Sequence, residues 1–257
     1  MLSDKKVRLF LILAGFFIAN ALVAEFIGVK IFSLERTLGF EPFNWTILGV
    51  EGLGFSLTAG VVLWPVVFVM TDVINEYYGQ RGVKTLSYLT VGLILYAFIM
   101  VFIAINLVPN DWWTSISGQT DSPSTTLPNM DLAFRKIFGQ GLWIIVGSMV
   151  AFLVGQIVDV FTFHRIKKMT GEKKIWLRAT GSTLVSQFID SFVVLFIAFY
   201  IGADWDLVRV LAIGFVNYIY KFFMAVVLTP VIYLAHSAID NYLGEELAQE
   251  LKDQAMT

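Results

Sequence analysis

Residues 71–79 read TDVINEYYG and pack Asp72, Asn75 and Glu76 into five positions. On a helix, Asp72 and Glu76 are four apart and Asn75 is three from Asp72, so all three share a face about one turn apart. Like charges at that spacing repel unless a cation, a proton or a polar ligand sits between them. The stretch closes a long apolar run. If that run spans a membrane, its acids stand where polar groups are costly and usually functional. The same residues also suit the aqueous end of a span.

A second pattern recurs in two later apolar runs. Residues 154–161 read VGQIVDVF and residues 185–192 read VSQFIDSF. Gln156 and Asp159 share a helical face, as do Gln187 and Asp190. The small residues Gly155 and Ser186 permit close helix approach. Antiparallel helices could bring the two pairs together. Two carboxylates and two amides suit a planar polar ligand, because an amide both donates and accepts and a carboxylate accepts.

Arg178, Ser182, Ser186 and Asp190 follow at four-residue steps and form one stripe. Arg178 is placed to pair with Asp159 or Asp72, or to anchor the span at a basic membrane face. Lys221 sits inside the last apolar run, one turn after Asn217, and a buried lysine needs a partner. Glu25, in the first run, and Asp190 lie at comparable depth. Such a pair is either structural or the element that a proton or ligand displaces. Asn20, also in the first run, reads as a bond to a neighbouring helix.

These residues need helices to position them. The chain has 257 residues, 57% apolar, 15% aromatic and 15% charged, with mean hydropathy +0.74. Soluble domains carry nearer about a quarter charged residues. The pattern predicts an all-α membrane protein, one integral membrane domain over residues 1–257. Six transmembrane helices are expected at about 9–31, 56–76, 83–108, 142–163, 175–201 and 207–234, with a polar helical tail at 236–257 outside the membrane. Lys5, Lys6 and Arg8 before an apolar stretch imitate a signal peptide, but the run continues and reads as an uncleaved first helix. Pro65, placed near the middle of the second span, predicts a kink. The connection over 32–55 is long for a hairpin loop and rich in interfacial aromatics, so it is expected to fold back against the membrane.

Residues 79–84, GQRGVK, read as a tight basic turn. Residues 109–129 read as an exposed loop anchored by Trp112 and Trp113. In the amphipathic stretch 130–139, Leu132, Phe134 and Phe138 face the membrane while Arg135 and Lys136 face water. Residues 164–174, HRIKKMTGEKK, are the most basic loop. Twelve of the eighteen Lys and Arg residues fall on the side of the N-terminus, second loop, fourth loop and tail, and five on the other. That bias puts both termini in the cytoplasm.

Net charge −2 gives no reason to expect nucleic acid as a partner. No cysteine is present, so disulfides and thiolate metal sites are excluded. Two histidines, His164 and His236, build no zinc site. No cofactor or metal is expected.

With these residues in view, the chain resembles the vitamin-uptake-type transporter (VUT) family, whose characterised members are queuosine precursor transporters. TDVINEYYG with its basic turn, GQIVDVFTFHRIKK, and WLRATGSTLVSQFIDSFVVLFIAF carry the resemblance, over about residues 58–233. It implies a six-helix protein of the bacterial inner membrane that imports 7-deazaguanine precursors of the tRNA nucleoside queuosine. Some accounts relate that architecture to the substrate-binding subunits of energy-coupling transporters. The resemblance assigns substrate binding to Asp72, Asn75, Glu76, Gln156, Asp159, Arg178, Ser182, Gln187 and Asp190. Ala179 stands where the family pattern suggests Asn, and the connection over 30–55 is longer than usual.

The resulting expectation is a secondary, proton-coupled importer of 7-cyano-7-deazaguanine or a related base, not an enzyme. Glu25, Lys221 or Glu76 would couple protons. The alternative is a substrate-binding subunit for a vitamin or nucleobase-like ligand that needs separate ATPase partners, since no GxxxxGK[ST] is present. An intramembrane enzyme built on paired aspartates is less favoured, because HExxH and glycine-rich aspartate contexts are absent. A non-transporting scaffold is the third reading. Partners are the small-molecule ligand and the lipid bilayer, with a homo-oligomer or an energy-coupling subunit left open.

Overall fold

A computed structural model describes residues 4–114, 129–139, 141–170 and 175–255. Helix α1 (Lys5–Ile27) opens on Asp4, whose carboxylate accepts the Lys6 N–H, an N-cap. Leu9, Leu13, Phe17 and Ala21 recur every fourth residue and bury one face. Leu11, Ile12, Phe16 and Val23 are exposed on the rest. An apolar, exposed outer surface is what a lipid-facing helix presents.

The connection after α1 forms short strands that pack on the bundle. β1 (Ile31–Ser33) and α2 (Leu34–Thr37) come first, followed by the pair β2 (Trp45–Ile47) and β3 (Val50–Leu53), then β4 (Ser56–Thr58). β1 pairs antiparallel with β4, Ile31 opposite Thr58, and β2 pairs with β3. Glu35 holds the cap together: its carboxylate accepts the Phe55 N–H at 2.7 Å and the Ser33 hydroxyl at 3.0 Å. Phe55 and Leu57 bury against Val216 and Tyr220, and Trp45 stacks on Phe43.

The predicted second span is therefore corrected at its start. Residues 56–58 pair as a strand because β1 offers a free edge. A 3₁₀ turn (Ala59–Val62) follows, and helix α3 (Trp64–Asn106) begins only at Trp64. Pro65 is thus in the first helical turn, not mid-helix. There its missing N–H would have had no intrahelical partner, so it starts the helix and does not kink it.

A straight 43-residue α3 would be about 65 Å long, twice a bilayer's hydrocarbon core. It is broken at Gly79, with φ 65° and ψ −172°, a backbone region open essentially to glycine alone. The two arms reverse against α1. Near the start of α1, Phe10 packs on Tyr78, and the Tyr78 hydroxyl donates to Lys6 O at 2.8 Å. Near the end of α1, Phe26 meets Phe98 of the second arm. A Cβ on Gly60, just before the first arm, would touch Ala24 O. The turn expected over 79–84 therefore narrows to Gly79, with the residues after it helical.

Helix α4 (Asp111–Thr114) carries the Trp pair, and residues 115–128 of the expected loop lie outside the described residues. α5 (Met130–Phe138) is capped by Asn129, which accepts the Leu132 N–H, and Arg135 pairs with Asp131 at 2.6 Å. Phe138 packs against Phe26 and Phe134.

α6 (Leu142–Thr170) runs through the predicted basic loop. That expectation is corrected for 164–170, while 171–174 lie outside the described residues. α7 (Ile175–Leu195) passes into a π-helical turn (Phe196–Ile201), and α8 (Leu207–Leu243) and α9 (Glu245–Gln254) follow. Lys6 pairs with Glu250 and Lys252 with Asp240, each at 2.9 Å. The first and last helices therefore meet at the end of the bundle where Gly79 bends. Ala248 and Leu251 of α9 join the main core with Leu9, Ile74 and Leu86.

Among the described residues, five stretches are long and apolar enough to cross a membrane: α1, α3, Met130–Thr170 containing α6, Trp176–Ile201 containing α7, and α8. The protein is a mostly helical, multi-pass membrane protein.

Candidate functional site

The α7 stripe meets a charged or polar partner at every step. Arg178 Nη2 donates to Glu76 Oε1 at 2.6 Å. The Ser182 hydroxyl is 3.5 Å from Asp72 Oδ1. The Ser186 hydroxyl donates to Asp159 Oδ1 at 3.1 Å, and Asp190 pairs with Lys221. The spacing that put these four residues on one face lays that face against α3, α6 and α8.

Two of the open pairings are thereby decided. Lys221 takes Asp190, while Glu25 Oε2 accepts the Ser148 hydroxyl at 3.1 Å. Arg178 takes neither Asp72 nor Asp159, and its placement is corrected to Glu76. The reason is height: Glu76 is one turn further along α3 than Asp72, level with the start of α7.

The base of the site is an ion cluster. Lys167 Nζ also donates to Glu76 Oε1, at 3.1 Å, and all three side chains are essentially unexposed. Both cations share one carboxylate oxygen where water cannot help, and such pairing is what makes burial of the charges tolerable. His164 Nε2 and the Asn75 side-chain amide are hydrogen-bonded at 2.9 Å. Arg178 also lies over the Phe163 ring.

Above this base, Asp72 and Asp159 are buried with hydroxyl partners alone. Thr183 donates to Asp72 Oδ2 at 3.2 Å. Gln156 is turned toward α3, where its Oε1 accepts the Thr71 hydroxyl at 3.1 Å. The Gln156–Asp159 and Gln187–Asp190 pairs thus flank the α6–α7 contact and do not bond to each other directly. Several buried atoms have no hydrogen-bond partner: Gln156 Nε2, Gln187 Nε2, Asp159 Oδ2 and Asn75 Nδ2. A buried polar atom left unbonded is costly, so this much unused capacity in one layer marks a place for another species.

An adjoining cleft supplies the space. It occupies about 470 Å³, open solvent at its mouth included, between the first arm of α3, α7 and α8. Trp64, Phe68 and Tyr220 give it apolar aromatic walls, and Asp72, Thr183 and Gln187 are among its polar groups. Thr180 and Lys221 also line it. Of the residues expected to bind substrate, Asp72 and Gln187 line the cleft. Asp190 reaches it through Lys221. Asn75, Glu76, Gln156, Asp159, Arg178 and Ser182 form the layer behind.

Thr180, Thr183, Lys167 and His164 escaped the sequence reading. Lys167 and His164 were hidden by the loop assignment, although Lys167 continues the stripe of Gln156, Asp159 and Phe163 at steps of three and four. Thr183 follows Ser182 directly, and nothing local separates a ligand-facing hydroxyl from a packing one. Among the described residues no group of His, Asp and Glu is placed to hold a metal ion.

A family model described as "Putative vitamin uptake transporter" matches residues 58–235, which contain every element of this site except Glu25. A Bacillus subtilis (strain 168) protein named "Probable queuosine precursor transporter" is 29% identical over 196 residues, covering 75% of this chain and 77% of that protein. A Haemophilus influenzae protein of the same name is 26% identical, covering 88% of this chain and 86% of its own. The Escherichia coli (strain K12) "Queuosine precursor transporter" is 24% identical, covering 87% and 91%. No solved structure gives a significant match. The chain belongs to the vitamin uptake transporter family.

Proposed function

We propose that this protein imports a queuosine precursor, 7-cyano-7-deazaguanine or a related 7-deazaguanine, across the bacterial inner membrane. It does so as a secondary, proton-coupled transporter. The whole chain acts as one membrane domain crossing six times, with α3 supplying two crossings through its reversal at Gly79. Both termini lie in the cytoplasm, the side of most Lys and Arg.

The observation that carries this reading is the pairing of Asp72 with the unbonded Gln187 amide in one aromatic-walled cleft. A deazaguanine is flat, largely neutral and rich in both donors and acceptors. Its N–H edge suits the Asp72 carboxylate and the Thr183 hydroxyl. An acceptor on its rim suits Gln187 Nε2. Trp64, Phe68 and Tyr220 cover its faces. The Glu76, Arg178 and Lys167 cluster closes the path below the cleft, and the β1–β4 cap stands above it.

The test uses bacterial cells that neither make the precursor nor carry their own importer. They express this chain, receive nanomolar 7-cyano-7-deazaguanine and are scored for queuosine in tRNA. The parent should restore queuosine, and Asp72→Asn at equal membrane level should not. A well-expressed parent that restores none overturns the reading. Binding in purified vesicles without transport would instead favour a subunit needing ATPase partners.

A further inference from the structure

Asp159 sits directly behind the ligand-facing Asp72, and the two share a single supply of hydrogen-bond donors. Ser182 serves both carboxylates, yet its hydroxyl also contacts Ala179 O at 3.0 Å. Ser186 reaches Asp159 but also Thr183 O at 3.0 Å. Thr183 reaches Asp72 alone. Three hydroxyl hydrogens, two of them shared with backbone carbonyls, face four carboxylate oxygens. Asp159 Oδ2 is buried and receives none.

Charge gives the same answer. The titratable and charged groups facing this pair are Glu76 from α3, His164 and Lys167 from α6, Arg178 and Asp190 from α7, and Lys221 from α8. Glu25 of α1 stands near Asp190. Lys167 and Arg178 are bonded to Glu76, and Lys221 to Asp190. His164 Nε2 is hydrogen-bonded to the Asn75 side chain. Among the described residues, Asp72 and Asp159 have no ion-pair partner. Two adjacent, unpaired, buried carboxylates cannot both stay ionised in a low-dielectric layer, and sharing a proton relieves them. A proton on Asp159 Oδ2 also turns the orphaned acceptor into a donor. The separate unbonded amide of Gln187, lining the cleft with Asp72, puts a free donor beside this same pair.

We propose that Asp159 is the proton-carrying residue of this transporter, holding one proton while ligand N–H groups occupy Asp72. This rests on the importer reading above. The proton comes from outer water and binds one Asp159 oxygen, which leaves Asp72 ionised to accept from the ligand. When the site opens to the cytoplasm the ligand leaves and water takes its place. The carboxylates are then hydrated, the low-dielectric condition that held the proton is lifted, and it is released to the same side. One proton and one neutral ligand move together. The Glu76, Arg178 and Lys167 cluster stands outside this proton path, because Glu76 Oε1 is already taken by two cations.

The test is transport of radiolabelled 7-cyano-7-deazaguanine by the purified full chain in proteoliposomes. Two readouts are compared: exchange against internal unlabelled ligand, and net accumulation driven by an imposed pH gradient. For one proton per ligand, a one-unit gradient sustains about tenfold accumulation in the parent, since one unit is a tenfold proton ratio. Asp159→Asn should lose pH-driven accumulation altogether while exchange, even if slowed, persists. Asp159→Glu, which keeps the carboxyl, should restore accumulation. Accumulation by Asp159→Asn equal to the parent's overturns the proposal. If the variants do not fold, the parent decides alone: a pH gradient that fails to drive ligand it can exchange overturns the proposal and the proton coupling, while leaving passage of the precursor intact. A parent that exchanges no precursor overturns the proposal and the importer reading together.

Discussion

Arg178 Nη2 lies 2.6 Å from Glu76 Oε1, with neither side chain exposed. This contact ties the start of α7 to the end of the first α3 arm, and Lys167 brings in α6 through the same oxygen. Three helices therefore converge on one carboxylate below the cleft.

Removing that carboxylate takes from two buried cations the partner they share. Glu76→Gln should destabilise the protein by up to about 3–5 kcal/mol, the usual cost of breaking a buried ion pair. Glu76→Gln combined with Arg178→Gln should cost less than the sum of the single changes. Chemical unfolding of the purified protein in detergent, run as a double-mutant cycle, checks both statements.

On the proposed reading Gln187 serves the ligand more than the fold, since its Nε2 has no protein partner to lose. Gln187→Leu should leave membrane level and thermal stability near the parent's. It should raise the KM for precursor uptake by about three- to tenfold, the worth of one hydrogen bond. An unchanged KM would remove Gln187 from the ligand's contacts.

Gly79→Ala tests the reversal of α3. The backbone there is of a kind that costs other residues about 1–3 kcal/mol, and an added Cβ would meet Ala255 O at 2.7 Å. The variant should lose stability, and deleting residues 255–257 should recover only the contact part of that loss. Thermal unfolding of the four combinations separates the two contributions.

Glu35 gives the cap a pH dependence. Burial alone would raise its carboxyl, but the N–H groups of Phe55, its own residue and Phe43, with the Ser33 hydroxyl, hold it below the ordinary carboxylate range. A depressed folded value means stability that is present above the unfolded pKa of roughly 4.3 and lost as pH falls through the folded one. Hydrogen exchange over residues 31–58 should show protection at neutral pH that fades at acid pH. In Glu35→Gln, protection should be weaker throughout and flat across that acid range.

Periodicity made much of this protein readable in advance. Arg178, Ser182, Ser186 and Asp190 form one face whatever surrounds them, because helical spacing is a local property. The apolar runs likewise announce membrane helices, since a bilayer demands apolar side chains over a fixed length. Sequence could not say which acid meets Arg178, because partner choice depends on the relative height and rotation of α3 and α7. It also could not show that His164 and Lys167 belong to a buried helix, for basic residues carry the same composition in a loop. Pro65 was legible as a special position, but its effect depended on where α3 starts, and the pairing of β4 with β1 sets that. The α7 face and the apolar helices were determined by the sequence alone. The ion cluster, the hydroxyl-only pair of aspartates and the cleft were decided by the tertiary structure, because each is made of residues that share a place only after distant helices pack.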